Sequence, residues 1–229
     1  MILPLFKSSS NNHLYDEHHN LLSWSSSNGL QMNSKKCKAI TILKSNMSHS
    51  LPLLPDIQVV NEMFILGVMF NSKLTWSTHI DYIIKKCSRL LFAFRTIRTT
   101  IPSPKLKLLY FSLVRSLIEY FAPRFSCLSS YDAQRLEKLQ RRFHRLSCST
   151  DCMPACLPAL SDRRLSLALR FLQVILRDES HILHSRLPSR SRRGRFILPP
   201  RRTEKRSKSF FLSTCERYNL LRNRHDLPL

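Results

Sequence analysis

Arg135, Lys138, Arg142 and Arg145 follow one another at spacings of 3, 4 and 3. On a helix this spacing lays four cations along one face, and Arg141 adds a fifth. Leu136, Leu139, Phe143 and Leu146 repeat at the same spacings, shifted by one residue. Such a helix buries one face while the neighbouring face presents a row of cations. A row of this kind can track the phosphates of a nucleic-acid backbone without reading its sequence. The plain alternative is a solvated helix face in a basic protein. The charge is one-sided rather than alternating, which favours the phosphate reading.

Other chemistry is hard to assemble. His144, Cys148, Cys152 and Cys156 are spaced by four and would line one side of a continuous helix, as a metal site needs. Pro154 interrupts that helix, and the spacing is not that of paired zinc ligands. Half-buried cysteines in a turn are the better expectation. No two aspartates are adjacent, and Asp16-Glu17 lies at a helix start, where acids are common for dipole reasons. His13, His18 and His19 read as a solvated helix face. No G-x-S-x-G, H-E-x-x-H, G-x-G-x-x-G or G-x-x-x-x-G-K occurs. The chain has 3 glycines, where an average composition would give roughly 16. No metal, cofactor or small-molecule substrate is expected from these residues.

The balance of 37 Lys+Arg against 15 Asp+Glu, a net charge of +22, points to a polyanionic partner. No apolar run reaches the length of a membrane span, about 18 to 20 residues, so no membrane partner is expected. Seven scattered cysteines read as reduced, intracellular usage. Nuclear or cytoplasmic residence fits, and Arg190-Ser191-Arg192-Arg193 and Lys205-Arg206-Ser207-Lys208 are basic clusters of the import type.

The elements that must position these residues are α+β. Residues 12–28 predict a helix closed by Gly29. Cys37 to Leu43 predicts a strand, and Ile57–Val60 with Phe64–Phe70 predicts a hairpin that turns at Asn61-Glu62. Gly67 marks a close approach of backbone or ligand. From residue 76 the period becomes helical. Ile80, Ile83, Ile84, Cys87, Leu90, Leu91, Phe94 and Ile97 form one stripe, with Thr78 as N-cap and Asp81 at N3. A second helix starts at Ser103 (N-cap) and Pro104 (N1). It buries Leu106, Leu109, Tyr110, Leu113, Leu117 and Phe121. A third spans about 132–147 and carries the cations. A fourth begins near Ser161-Asp162 with Leu165, Leu169, Leu172 and Leu176. Residues 186–208 hold ten Arg/Lys and one Glu, a composition that predicts disorder unless bound. A short helix returns at 209–221. The boundaries drawn are 12–75, 76–150, 151–185 and 186–229.

Several blocks resemble one family. Trp24, Asn28-Gly29-Leu30, Asn33 and Lys36-Cys37 are similar to the "W-x-x-x-N-G-L-x-x-N-x-x-K-[CT]" stretch of reverse transcriptases from non-LTR retrotransposons (LINE, jockey-like). Phe64-Ile65-Leu66-Gly67-Val68, then Leu74, Trp76, His79 and Ile80, resemble the family's "F-L-G-V … L-x-W-x-x-H-I". Tyr110, Leu113, Glu119, Tyr120 and Pro123 match its "Y-x-x-L-x-x-x-x-x-E-Y-x-x-P". Leu136-Glu137 with Gln140-Arg141-Arg142 resembles "L-E-x-x-Q-[RK]-R". Asp162-Arg163-Arg164, Ser209-Phe210, Asn219 and Leu221 are similar to the family's C-terminal end.

The resemblance implies a right-handed polymerase of which this chain supplies a C-terminal part. Residues 12–75 would be a short helix and three-stranded palm remnant with a primer-grip-like hairpin, 76–150 a helical thumb, 151–185 a C-terminal helix and 186–229 a basic, mostly disordered extension. Lys36 would sit near the incoming nucleotide, and Gly67 would let the primer end approach. The ligand of Arg135, Lys138, Arg141, Arg142 and Arg145 would be the template–primer duplex, RNA or DNA, held by its backbone. Asn71 stands where many relatives have Asp. The family's metal-binding aspartates lie upstream of Trp24 and would hold Mg²⁺ in the full-length parent enzyme. The chain alone is therefore expected to bind without polymerising. The alternative is a stand-alone basic helical nucleic-acid-binding or scaffold protein derived from such an element.

Overall fold

A computed structural model describes residues 13–42, 57–147, 157–200 and 209–223. The chain divides into two compact units, residues 1–79 and 80–229. Among the described residues the architecture is mixed α and β and mostly helical. No described helix is long and apolar enough to cross a membrane.

In the first unit, α1 (His13–Ser27) ends as its sequence dictates. Gly29 takes φ +66°. Gly29 N–H donates to Ser26 O at 3.1 Å and Leu30 N–H to Ser25 O at 2.8 Å, the paired bonds of a Schellman cap. A single 3₁₀ turn, Ser34–Lys36, comes next. The predicted hairpin is corrected in its register. β3 (Glu62–Ile65) pairs antiparallel with β4 (Val68–Asn71), and the turn is Leu66-Gly67 rather than Asn61-Glu62. Leu66 has φ +50° and Gly67 φ +82°. A two-residue hairpin loop of this kind needs both central residues left-handed, and Gly67 supplies one of them without strain. The expected three-strand layer is corrected as well. β2 (Gln58–Val59) leaves the hairpin and pairs in parallel with β1 (Lys38–Ala39), so the described residues form two two-stranded sheets.

The segment from Thr75 to His79 folds back over the outer edge of β4. Met69 N–H donates to His79 Nδ1 at 3.1 Å. Trp76 packs edge-on against Phe70 with ring centroids 5.7 Å apart. Asn71 Nδ2 donates to the hydroxyls of Thr75 (2.6 Å) and Thr78 (3.0 Å), while its Oδ1 accepts Thr75 N–H at 2.8 Å. Thr78 is thus an anchor for Asn71 and not the N-cap. α2 (Ser77–Ile97) already begins at Ser77.

The second unit is a helical assembly. α2 buries Ile80, Ile83, Cys87, Leu91 and Phe94. α3 (Ser103–Leu109) runs without a break through a π-helical turn, Tyr110–Arg115, into α4 (Ser116–Glu119). Ser103 opens α3 as its first residue, with Pro102 at the cap position, and its hydroxyl donates to Ser147 O at 3.3 Å. The π turn corrects the expected buried face. The residues inside are Leu106, Tyr110, Val114, Ile118 and Ala122, each four apart, while Leu113 is exposed. Four residues overshoot a full α turn by about 40°. The wider i→i+5 turn absorbs that overshoot and keeps the row straight. α5 (Ser130–Ser147), α6 (Leu160–Arg177) and α7 (Phe210–Asn223) complete the unit.

Residues 186–200 are not a loose basic tail, which corrects the expected disorder there; 201–208 lie outside the described residues. Phe196 is buried with Leu169, Leu172, Cys215 and Tyr218. Asn219 accepts Phe196 N–H and donates to Phe196 O, both at 2.9 Å. The Arg190 guanidinium lies over the Phe196 ring at 4.9 Å. One aromatic anchor with its backbone satisfied by an amide side chain offsets the thin apolar content.

Glu119 cross-links the unit. Arg163 of α6 donates Nε to Oε1 (2.6 Å) and Nη2 to Oε2 (2.7 Å), and Arg115 Nε donates to Oε1 at 2.7 Å. Burial works to raise this carboxyl. The hydrogen bonds from Arg163 and Arg115, and their charges, outweigh it and hold the group below the ordinary glutamate range.

Both cross-links can be tested. Glu119→Ala should destabilise the fold by about 2–3 kcal/mol, because it leaves the mostly buried Arg115 unpaired; urea unfolding midpoints check this. His79 accepts a hydrogen bond while neutral, and burial lowers its pKa from 6.5. Its contribution is fully present above that value and is lost as pH falls toward the lowered one. A His79→Asn variant should lack this phase when unfolding is compared across pH 7.5 to 5.5.

Candidate nucleic-acid interface

α5 starts on Ser129. Asp132 N–H donates to Ser129 Oγ (3.1 Å), and Ser129 Oγ donates to Asp132 Oδ2 (2.9 Å). This closes the first turn as a capping box does. The inner face buries Leu136, Leu139 and Phe143, with Leu146 half-buried. Phe143 stacks on Tyr110 with centroids 3.9 Å apart and planes at 11°. Gln140 is a buried polar residue of this helix. It accepts the Tyr110 hydroxyl at 3.1 Å and donates to Pro158 O at 3.0 Å. Burial raises the Tyr110 phenol well above its ordinary range, so it remains a donor.

With that face fixed inward, the neighbouring cationic face turns out. Lys138, Arg141, Arg142 and Arg145 are all exposed. Together with Gln140, His144 and Leu157 they line a groove of about 680 Å³, and none of the described lining residues is a carboxylate. Their offsets of 3, 4 and 7 residues from Lys138 are those of one helix face. Neighbours on such a face repel, by about 0.2–0.5 kcal/mol for each i,i+3 or i,i+4 pair. Lys138–Arg141, Lys138–Arg142, Arg141–Arg145 and Arg142–Arg145 are four such pairs. Arg145, in the last turn, recovers part of this from the helix dipole. A bound polyanion would relieve the remainder.

The sequence-predicted site residues separate into three sets. Four of them, Lys138, Arg141, Arg142 and Arg145, come together in the groove. Arg135 belongs to the same row but is occupied. Its guanidinium pairs with Asp81 of α2 and with Asp132 at 3.3 Å, and lies 5.3 Å from the centre of the Tyr131 ring. Lys36 and Gly67 lie in the first unit. Lys36 is exposed and ends the 3₁₀ turn, and the hairpin turn gives Gly67 a conformational reason of its own.

The Cys148, Cys152 and Cys156 row lies outside the described residues. Among the described residues no three His, Cys, Asp or Glu side chains group as a metal site. Lys85 and Arg89 of α2 are exposed cations that the apolar stripe of that helix hides in the sequence. Their signal is the i,i+4 spacing of cations in the gaps of the stripe.

Comparison with protein-family models, curated proteins and solved structures gives no match.

The division of the row is testable. Arg135→Met should lower stability by about 1 kcal/mol, by releasing Asp81 and the partly buried Asp132. It should leave nucleic-acid affinity within a factor of two or so of wild type if phosphates are held by the groove alone. Thermal unfolding and a binding titration on the same sample separate these effects.

Proposed function

We propose that the chain binds the sugar–phosphate backbone of a nucleic-acid duplex, with the α5 groove as its phosphate-tracking surface. It would do so as the thumb-like part of a reverse-transcriptase-like polymerase whose metal-binding carboxylates lie elsewhere. The observation that carries this is the groove itself: four cations on one helix face, with no acid among the described lining residues, in a chain of net charge +22. A merely solvated face would gain from interspersed acids, and α5 instead spends Asp132 on Arg135 and Glu137 on Ser161 N–H.

Support for the polymerase part comes from the blocks that resemble the family. Glu119 of one block grips Arg163 of another. Tyr110, of the same block as Glu119, donates to Gln140 of a third. Trp76 and His79 bind the hairpin that carries the Phe64–Val68 block. Three blocks of the second unit, far apart in sequence, are thus joined to one another, as pieces of one inherited domain should be. Backbone binding requires contact and charge alone, and no step of nucleotide transfer is assigned to the described residues.

The test is a fluorescence-anisotropy titration of an RNA–DNA duplex across 50 to 200 mM salt. Four contacts give a slope of log affinity on log salt of about −3.6. Reversal of Lys138, Arg141, Arg142 and Arg145 to Glu should abolish binding with the helical circular dichroism unchanged. Undiminished affinity in that variant would overturn the groove assignment.

A further inference from the structure

We infer that Phe92, on the outer face of α2, is a stacking platform for an unpaired base of the nucleic acid bound in the α5 groove. This rests on the backbone-binding reading and extends it to a second helix and a second part of the ligand.

The placement comes from two contacts. Arg135 reaches Asp81, and Arg142 Nη1 donates to Ser88 Oγ at 3.4 Å. Each partner pair is seven residues beyond the last, so α2 and α5 run side by side in the same direction. Asp81, Lys85, Ser88, Arg89 and Phe92 share one side of α2 by their 3- and 4-residue spacing. The strip that touches the cationic face of α5 is thus the strip that carries Lys85, Arg89 and Phe92. Lys85 and Arg89 are exposed, and Phe92 is 70% exposed. The core of α2 is on its other side, at Ile83, Cys87, Leu91 and Phe94. Phe92 therefore contributes little to folding where it stands.

The surroundings identify the occupant. An apolar protein surface would have to desolvate Lys85, Arg89 and Arg95 to reach Phe92. A nucleic-acid strand brings phosphates to those cations and a flat base to the ring. Cations flanking an aromatic platform are the usual means of holding single-stranded nucleic acid. Lys85 to Phe92 spans about 10 Å along the helix, enough for a strand to leave the groove and lay one base on the ring.

The test compares a blunt RNA–DNA duplex with the same duplex carrying a short single-stranded overhang that contains 2-aminopurine. Wild type should bind the overhang form about 5- to 100-fold more tightly, the range of one base–aromatic stack, and quench the 2-aminopurine. Phe92→Ala should bind both forms at the blunt level without quenching, and Phe92→Tyr should restore the preference. Equal weakening on both substrates, or a preference that survives Phe92→Ala, would overturn the inference. So would a wild-type dimer that dissolves in Phe92→Ala, since a second copy would then cover the ring. If wild type binds the blunt duplex with no gain from the overhang, the stacking role alone falls. If it binds neither, the groove falls with it.

Discussion

Phe143 lying flat on Tyr110, 3.9 Å between ring centres, sets the geometry of the second unit. Tyr110 begins the π turn, and its hydroxyl reaches Gln140 one turn before Phe143. A stack and a hydrogen bond from one residue to two on the next helix leave α5 no freedom to rotate about its axis. Rotation is the variable that matters for binding, because the apolar and cationic sets of α5 lie on different, neighbouring faces. Once the ring pair forms, Lys138, Arg141, Arg142 and Arg145 must face outward. Their mutual repulsion is tolerated because the core on the other side is worth far more.

The polar residues inside the unit have a shared role. Glu119, Arg163, Tyr110, Gln140 and Asn219 each join elements distant in sequence. These are among the residues on which the proposed reverse-transcriptase reading rests. Here they are architectural, whereas the four groove cations, Arg141 and Arg142 of the same pattern among them, lie at the surface. A pattern dominated by buried cross-links identifies a scaffold more readily than it identifies a chemistry. That asymmetry is why the proposal concerns a surface and the forces on it.

The large positive charge is divided by the fold into parts with different work. Arg163 and Arg115 are consumed by Glu119, Arg135 by Asp81 and Asp132, and Arg190 by the faces of Phe196 and Tyr218. What remains on α5, with Lys85 and Arg89 beside it on α2, is a coherent field toward solvent. A net charge counted from composition treats all of these alike.

The α1 cap at Gly29, the stripes of α2 and α5, the start of α6 and the cationic row were legible in the sequence. Each is local: a glycine that takes positive φ, or a period of 3.6 residues, needs no distant partner to be read. The hairpin register, the buried face after Tyr110, the order in residues 186–200 and the capture of Arg135 were not. Each depended on contacts between residues far apart: β1 drawing β2 away, a π turn shifting the inward row, Asn219 holding Phe196, and Asp81 meeting a guanidinium 54 residues on. Local periodicity determined which residues share a helix face. Tertiary packing alone decided which cations on that face stay free, because pairing is settled by what the opposing helix brings within reach.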